Sequence, residues 1–270
     1  MATASDHYDA ATRARATECP DRTRLQRFHN TAKRALLNIF AKDAKSLLDL
    51  ACGRGGDIHK WRALGIRDVL GLDISAESVE EGQARFETIA TRSDFNYVFQ
   101  TADLRTGWRS PERKQYDAVT CMFAMHYFFD TEASAHALLK TASDNLKPGG
   151  YFVGIVPDAF RVNEYIKFGP FNNGVMRVVA NWNGAPQCFG SAYTCSIANT
   201  IVEESTVPEY LVYGSVLQKV AAMYGFEPEA IHHTAFQESI GMLHPLRPPY
   251  NGPEAQASEL YAGFALRKKH

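Results

Sequence analysis

Short apolar runs alternate with amphipathic segments along the first half of the chain, and this pattern predicts strands and helices in turn. The runs typical of buried strands are Ser46–Leu50, Asp68–Leu72, Asn96–Gln100, Tyr116–Met122 and Tyr151–Val156. The segments with helical spacing are Leu25–Phe40, Ile58–Leu64, 75–89 and Glu132–Leu146. Alternating strands and helices predict an α/β fold with a Rossmann-like, doubly wound and mainly parallel sheet.

The remaining segments are less regular. Residues 1–24 are polar and predict a flexible leader, so that 25–270 form the folded domain. Between about 158 and 206 the periodicity fails, which predicts an inserted lid or β-excursion with a hairpin turn at 172–174. The 147–150 segment, Lys-Pro-Gly-Gly, predicts a turn. Tyr210–Tyr224 is predicted to be helical and Leu260–Leu266 to be a closing strand.

Composition narrows the classes of function. The 270 residues are 45% hydrophobic and 22% charged, which is enough to bury one large α/β core. The net charge of −1 does not favour a protein that holds long nucleic acids through many phosphates. It favours a small or short acceptor, or a local basic patch, and leaves an RNA end open.

Cysteine usage and hydropathy indicate an intracellular protein. The cysteines number five and include no C-x-x-C pair, which argues against a disulfide framework and a structural zinc site. We expect no metal. The chain has no run of 18 apolar residues and no signal-peptide pattern, so neither a membrane span nor secretion is predicted.

Acidic residues mark the ends of consecutive predicted strands, where ligands of doubly wound sheets bind. A glycine-rich turn containing Gly53 follows the first strand, Asp73 ends the second and Asp103 follows the third. Glycines and an acid for ribose hydroxyls suit either NAD or S-adenosylmethionine. The G-x-G-x-x-G fingerprint for pyrophosphate is absent in register, however, and Asp49 on the first strand would repel a pyrophosphate. Asp49 suits the cationic methionine portion of S-adenosylmethionine, and Asp103 the adenine amino group.

The residues around this turn resemble those of mRNA cap guanine-N7 methyltransferases. Leu48–Asp57, followed by Lys60 and Trp61, is similar to the first motif of that family. The further similar segments, in the family's order, are Phe28–Lys33, Met122–Tyr127, Pro208–Val212 and Leu260–Tyr261. The resemblance covers nearly the whole chain from Leu25 and implies a methyltransferase domain over 25–270.

The resemblance also implies roles for individual residues. Those that fall where the family contacts S-adenosylmethionine are Lys33, Ala51, Asp73, Asp103, Met122 and Tyr127, beside Asp49 and Gly53. Those that fall where it contacts the capped guanosine and its phosphates are His29, Asn30, Arg54, Lys60, Arg85, His126, Glu209 and Tyr261. The chain departs from the family pattern in three places: Ala51 replaces a glycine, His29 an asparagine and Met122 a glutamine.

Guanine N7 carries a lone pair and no proton to lose, so we expect no general base. Alignment of the reactants in a desolvated pocket would supply the catalysis. Glu209 is the candidate for hydrogen bonds to guanine N1–H and the exocyclic amine. The side chains expected to position the purine are Phe123, His126, Tyr127, Glu209 and Tyr261. Arg54, Lys60 and Arg85 would form a basic cluster for the triphosphate bridge.

Other functions stay open at this stage. A small-molecule methyltransferase of the same fold would be indifferent to substitution of Arg54 and Lys60. A non-catalytic, S-adenosylmethionine-binding regulatory subunit is the alternative that the departures at Ala51 and Met122 favour. The resemblance implies a capped RNA 5′ end as partner and the nucleus as location. We expect a monomer without membrane contact, and the resemblance leaves room for a capping-enzyme or activating partner.

Overall fold

The computed structural model describes residues 23–89, 94–198, 207–239 and 241–270. The helices are α1 (Arg24–Phe40), α2 (Ile58–Ala63), α3 (Ala76–Ile89), α4 (Glu132–Asp144), α5 (Ala159–Ile166), α6 (Gly214–Met223) and α7 (Pro253–Glu259). Single turns of 3₁₀ helix follow the third and fourth strands, at Leu104–Thr106 and Met125–Phe128.

The strands form two sheets. Those of the first part of the chain are β1 (Ser46–Leu50), β2 (Asp68–Asp73), β3 (Asn96–Thr101), β4 (Tyr116–Met122) and β5 (Leu146–Pro157). Those of the second part are β6 (Phe171–Asn172), β7 (Met176–Ala180), β8 (Ala192–Ile197), β9 (Glu209–Tyr210), β10 (Phe226–Pro228), β11 (His244–Pro245) and β12 (Tyr261–Lys268).

The main sheet has the order β10-β12-β5-β4-β1-β2-β3, with β11 beside β12. The five strands from β5 to β3 are parallel, while β12 pairs antiparallel with β5 and with β10. The strand order therefore reverses between β1 and β4, and ligands of such sheets bind at this reversal, beyond the carboxyl ends of the strands. The predicted doubly wound, mainly parallel sheet is confirmed.

Side chains of β1 alternate between two cores. Leu47 packs in the apolar cluster on one face of the sheet, and Leu48 and Leu50 pack in the cluster on the other. Because successive strand residues point to opposite faces, Asp49 shares the face of Leu47. Burial on both faces explains the continuous apolar runs that the sequence shows in the parallel strands.

Helix α1 brings the first candidate residues to the sheet. Thr23 caps it by accepting a hydrogen bond from the Gln26 backbone at 3.2 Å, and the Gln26 side chain accepts from the Thr23 backbone at 3.1 Å. This reciprocal cap fixes the start of the helix. Phe28, Ala32 and Leu36 are buried on one side, so His29 and Lys33 turn toward the carboxyl ends of the strands. Thr23 and Arg24, which the sequence analysis included in the leader, belong to this cap and helix, and residues 1–22 lie outside the described residues.

The second sheet, β6-β7-β8-β9, is antiparallel, and the predicted turn at 172–174 connects its first two strands. Asn172 Oδ1 accepts from the Gly174 backbone at 2.9 Å, and Gly174 has a φ of +86°. The predicted insertion also contains α5, whose short apolar face the sequence reading missed. Residues 199–206 of that insertion lie outside the described residues.

The prediction was wrong at two boundaries. The expected helix at 210–224 begins only at Gly214, because Glu209 and Tyr210 pair with β8 as strand β9. The expected turn at 147–150 lies inside β5, where Gly149 takes a φ of +78° and the pairing with β4 shifts register. A bulge in a strand and a turn require the same left-handed glycine, so the local signal does not separate them.

Candidate functional site

The loop after β1, residues 51–56, is held in an unusual backbone conformation. Ala51, Gly53 and Gly55 have φ values of +57°, +52° and +66°. Left-handed conformations alternating with ordinary ones turn successive N–H groups toward a common side, as in anion-binding nests. Ala51 is strained in this geometry because it has a Cβ, and the left-handed region costs an L-residue roughly 1–2 kcal/mol.

Asp73, at the end of β2, fastens this loop. Its Oδ2 accepts a hydrogen bond from the Gly53 backbone at 2.7 Å, and its Oδ1 accepts from the Ser75 backbone at 3.0 Å. The carboxylate is thereby oriented by the backbone on both sides. Sequence reasoning placed Gly53 and Asp73 in one site, and the structure brings them into direct contact.

Asp49 lies in β1 opposite Thr120 of β4, and the Thr120 hydroxyl donates to its Oδ1 at 2.5 Å. The pKa of Asp49 is raised to about 7, mainly by burial and also by the nearby Asp57 and Asp73 carboxylates. Thr120 and Lys33 act in the opposite direction. A cation that approached Asp49 would lower this pKa and hold the carboxylate in its charged form.

Asp57, directly after the loop, joins two lysines in what we call the Lys-Asp-Lys cluster. Its Oδ2 accepts from Lys33 Nζ of α1 at 2.8 Å, and its Oδ1 accepts from Lys60 Nζ of α2 at 2.5 Å. Burial alone would raise the pKa of Asp57, but the two ammonium groups outweigh it and lower the pKa to about 2. Asp57 is thus ionised throughout the neutral range.

Arg54, Glu81 and Arg85 form a second set of ion pairs, the Arg-Glu-Arg cluster. Glu81 Oε1 accepts from Arg54 Nη2 and, at 3.0 Å, from Arg85 Nη2. All three side chains are partly exposed, whereas Asp57 and Lys60 are buried. The arginines expected to meet the phosphates are therefore together, close to a carboxylate that sequence reasoning did not include.

His29, Phe123 and Tyr261 form an aromatic group next to the Lys-Asp-Lys cluster. The His29 ring stacks on Phe123 with centroids 4.8 Å apart, and Tyr261 meets both rings edge-on at 5.4 and 5.0 Å. Lys33 Nζ lies 5.6 Å from the centroid of the Phe123 ring. Phe123 has a φ of +62°, a strained value that bulky residues adopt mainly at functional sites.

His126, Tyr193 and Glu209 form what we call the buried polar cluster. Glu209 stands opposite Tyr193 in the β8–β9 pairing, and His126 Nε2 lies 3.8 Å from Glu209 Oε2. Tyr261 of the aromatic group is close enough for Glu209 to raise the pKa of its hydroxyl. The polar cluster and the aromatic group are therefore adjacent.

The polar atoms of this cluster are unsatisfied. Among the residues that the structure describes, no hydrogen-bond partner reaches Glu209 Oε2, the Tyr193 hydroxyl or either ring nitrogen of His126. Burial raises the pKa of Glu209 to about 7, although the nearby Tyr193 hydroxyl lowers it, and burial lowers the pKa of His126 to about 3. Buried polar atoms rarely lack hydrogen-bond partners. Several such atoms at one place therefore indicate groups that bind a ligand.

The remaining candidates have mixed surroundings. Asp103 is paired with Arg105, whose Nε and Nη2 donate to it at 3.0 and 2.9 Å, so it is already engaged by a cation. Asn30 donates to the Gln26 carbonyl of its own helix at 2.9 Å. Met122 ends β4 and is buried, and Tyr127 packs against His126 with ring centroids 4.1 Å apart.

The sequence analysis gave no role to the side chains of Tyr193, Asp57 and Glu81. Tyr193 carried no signal, because its place beside Glu209 depends on strand pairing in the insertion. Glu81 had one: it lies four residues before Arg85 on a helix, a spacing at which opposite charges meet. Within the described ranges, no three His, Cys, Asp or Glu side chains are grouped closely enough to hold a metal ion.

The comparison with protein families decides the assignment. A family model described as the mRNA (guanine-N(7))-methyltransferase domain matches residues 2–241. The chain belongs to this family. The loop at 51–56, Glu209, and His29 and Phe123 of the aromatic group lie within the matched residues, and the resemblance drawn from the sequence is confirmed.

Curated relatives carry the same description. The chain is 30% identical over 230 residues to the mRNA cap guanine-N(7) methyltransferase of Drosophila melanogaster, over 75% of this chain and 53% of that one. It is 32% identical over 208 residues to that of Caenorhabditis elegans, over 72% and 53%. The chain spans about half the length of the curated relatives it matches.

Solved structures agree on the fold. A S-adenosylmethionine-dependent methyltransferase from Clostridium acetobutylicum superposes with a TM-score of 0.56 at 12% identity, over 97% of this chain and 96% of that one. One from Mesorhizobium loti gives 0.55 at 19% identity, over 87% and 96%. At these identities the likeness shows the class I methyltransferase fold alone. No helix within the described residues is both long and apolar enough to cross a membrane.

Proposed function

We propose that this chain transfers a methyl group from S-adenosylmethionine to guanine N7 of the 5′ GpppN cap of mRNA. The observation that carries the proposal is the buried polar cluster next to the aromatic group, in a chain that belongs to the cap guanine-N7 methyltransferase family. Glu209 and His126 are each 2% exposed, and Glu209 Oε2 and both ring nitrogens of His126 lack a partner within the described residues.

The residues around the loop fit the methyl donor. Asp73 is an acceptor suited to ribose hydroxyls, and Asp49 is a carboxylate whose charged form a nearby cation would favour. Lys33 is a cation suited to the donor's carboxylate, and the positive φ values of Ala51 and Gly53 expose the loop backbone. When bound, S-adenosylmethionine supplies a methyl group on a sulfonium, whose sulfur keeps the bonding electrons when guanine N7 takes the methyl.

Guanine suits the buried polar cluster because its N1–H and exocyclic amine are two donors on one edge. An ionised Glu209 accepts both, and the Tyr193 hydroxyl and His126 supply further polar atoms around the same position. The negative charge of Glu209 also stabilises the positive charge that the purine gains on methylation. Adenine has no N1–H, so it would leave a buried carboxylate oxygen unpaired.

The protein contributes orientation rather than proton transfer. N7 loses no proton, and the pKa of His126, lowered to about 3, leaves that ring neutral and unable to give up a proton as an acid near pH 7. The aromatic group excludes water and offers ring edges and faces to a purine. The cations that we assign to the triphosphate bridge are Arg54 and Arg85, which share Glu81, and Lys60, which pairs with Asp57.

The test is methyl transfer from labelled S-adenosylmethionine to three RNAs that carry a GpppG, an ApppG or an m7GpppG cap, each at equal concentration. We expect label on the GpppG-capped RNA only, since the cap base of the ApppG-capped RNA has no N1–H and that of the m7GpppG-capped RNA has no free N7. Transfer to none of the three, or equal transfer to the GpppG-capped and ApppG-capped RNAs, would refute the assignment.

A matched pair of variants assigns the guanine contact. Glu209→Gln keeps the shape and removes the charge, so we expect kcat/KM for GpppG to fall about 100-fold, as when a buried charged partner is lost. The control is Glu227→Gln. Glu227 lies on the outer strand β10, where its side chain is 4.0 Å from Lys269, so this substitution should leave kcat/KM unchanged. Full activity of Glu209→Gln would remove the role of Glu209.

The wider setting is proposed on the resemblance and the family alone. Capped RNA is the macromolecular partner, the nucleus is the location, and the chain acts as a monomer that a capping enzyme or activating protein can join. Cell fractionation and size-exclusion chromatography with light scattering test these points. Recovery of the tagged chain outside the nucleus, or a stable dimer, would contradict them.

A further inference from the structure

Asp57 is the N-cap residue of α2, but its side chain does not cap the helix. Aspartate at a helix N-cap ordinarily accepts a backbone N–H of the first turn, but the Asp57 side chain makes no such hydrogen bond. Each of its two oxygens instead accepts a hydrogen bond from one lysine, from Lys33 at 2.8 Å and from Lys60 at 2.5 Å. This buried carboxylate therefore binds two cations, Lys60 of the same helix and Lys33 of α1, instead of capping α2.

The two lysines face different halves of the site. Lys33 comes from α1 and lies 5.6 Å from the centroid of the Phe123 ring, whereas Lys60 comes from α2 and also approaches the Gly56 carbonyl at 3.5 Å. Under the proposed function, Lys33 meets the carboxylate of the methyl donor and Lys60 meets the cap phosphates. One carboxylate therefore touches a binding group of each substrate.

We infer that Asp57 is a positioning residue common to both half-sites: its carboxylate fixes the ammonium groups of Lys33 and Lys60. This inference rests on the proposed function. Under this inference, Asp57 is the one group among the described residues whose loss of charge weakens both the methyl-donor site and the cap-phosphate site.

The electrostatics give the inference a specific signature. Burial lowers the pKa of Lys60. The positive charges of Lys33 and Arg34 on α1 also lower it, whereas the Asp57 carboxylate raises it. Without the Asp57 charge, Lys60 remains buried beside two cations, so its pKa falls and the side chain loses its proton as the pH rises. A neutral Lys60 no longer attracts phosphate, and the loss of affinity must therefore grow with pH.

The experiment is calorimetric titration of S-adenosylhomocysteine and, separately, GpppG into the full chain at pH 6.5 and 8.5. The variants are Asp57→Asn, Asp57→Glu, Lys33→Met and Lys60→Met. Glu80→Gln, an exposed acid of α3, is the control for loss of one negative charge. Ratios of variant to wild-type dissociation constants at each pH cancel the titration of other groups such as Glu209.

We expect Asp57→Asn to weaken both ligands about tenfold, the energy of about one charge-assisted hydrogen bond, and to weaken GpppG further at pH 8.5. Lys33→Met should weaken mainly S-adenosylhomocysteine and Lys60→Met mainly GpppG, which separates the shared role from general damage. Asp57→Glu keeps the charge, so its ratios should be smaller and equal at the two pH values.

If thermal melting shows that Asp57→Asn does not fold, Asp57→Glu carries the test, with a parallel loss of a few-fold for both ligands expected. The inference is overturned if either variant weakens only one ligand, or if the Asp57→Asn ratio for GpppG is the same at both pH values. Failure of the wild-type chain to bind GpppG would instead count against the proposed function.

Discussion

Asp49 and Asp73, which we assign to the methyl-donor side of the site, are buried, as are His126 and Glu209, which we assign to the methyl-acceptor side. The hydrogen bonding of the two pairs differs. The first two accept hydrogen bonds from the protein itself, from Thr120 and from the backbone of Gly53 and Ser75. Glu209 Oε2 and both ring nitrogens of His126 lack a partner within the described residues.

The difference shows how a site can be organised before its ligands arrive. On the donor side, internal hydrogen bonds set the geometry and also contribute to stability. On the acceptor side, the cost of buried, unpaired polar atoms is carried by the surrounding fold and is relieved only by a ligand with matching groups. Substitutions on the donor side should therefore change stability, and those on the acceptor side should change binding.

The largest effect is expected from pH, because Glu209 titrates within the neutral range. Its pKa, raised to about 7, means that below pH 7 guanine meets a protonated acid, so GpppG affinity should fall up to about tenfold per pH unit. Stability should change in the opposite sense. The folded-state pKa of Glu209 lies above the unfolded value of about 4.3, because burial favours the protonated acid. The contribution of Glu209 to stability is therefore fully present below about pH 4 and is lost as the pH rises toward 7.

Titration of GpppG by calorimetry from pH 5.5 to 8.5 checks the binding trend, with Glu209→Gln as the variant that should show none. His126 does not interfere, since its pKa of about 3 leaves it neutral over this range. A wild-type affinity that is constant with pH would contradict an ionised Glu209 as the guanine acceptor.

The donor side is tested by Thr120→Val, which keeps the shape and removes the hydroxyl that donates to Asp49. We expect the free energy of unfolding at pH 8 to fall by about 1–3 kcal/mol, because a buried carboxylate loses its hydrogen bond. Urea unfolding measures it. The exposed Thr101 of β3 gives a matched control, and Thr101→Val should stay within about 0.5 kcal/mol of wild type.

Tyr193→Phe is the corresponding test of the acceptor side. The Tyr193 hydroxyl makes no close hydrogen bond to the described residues of the free protein, although it lies near enough to Glu209 to lower the pKa of that carboxyl. Its removal should change the unfolding free energy little, whereas GpppG affinity should fall by about 1 kcal/mol, or roughly fivefold. Tyr165→Phe, which removes a hydroxyl bonded to the Gln256 carbonyl, is the control for GpppG affinity. A large loss of stability without loss of affinity in Tyr193→Phe would reverse the comparison.

The smallest effect is expected at Ala51. Glycine relieves the cost of a φ of +57° but makes the unfolded chain more flexible, so Ala51→Gly should stabilise the protein by less than about 1 kcal/mol. Ala84→Gly, at an exposed position of α3, should destabilise it by about 0.8–1 kcal/mol. Opposite signs in urea unfolding would confirm the strain, and equal losses would exclude it.

The sequence predicted most of the fold because its main signals are local. Apolar runs such as Ser46–Leu50 are buried on both faces of the sheet, and the order of strands and helices followed from them. The prediction failed where pairing decides. Tyr210 was predicted to begin a helix, but its pairing with β8 holds it in a strand, and a stretch as short as β9 has too little pattern to show this.

The candidate site divides in the same way. That Asp49, Gly53 and Asp73 share one end of the sheet follows from the sequence, since the carboxyl ends of adjacent parallel strands lie side by side. The motifs alone, with their order along the chain, also identified the family that the comparison confirms. Residue types at fixed local spacing were sufficient for both conclusions.

Only the tertiary structure decided which polar groups meet. Lys33, Asp57 and Lys60 come from two helices and a loop, and Tyr193 reaches Glu209 across an antiparallel pairing. Burial of these groups, and with it a pKa of about 7 for Glu209 and about 2 for Asp57, depends on the surrounding fold. Local sequence determines backbone conformation, but desolvation and ion pairing depend on residues that are distant in the chain.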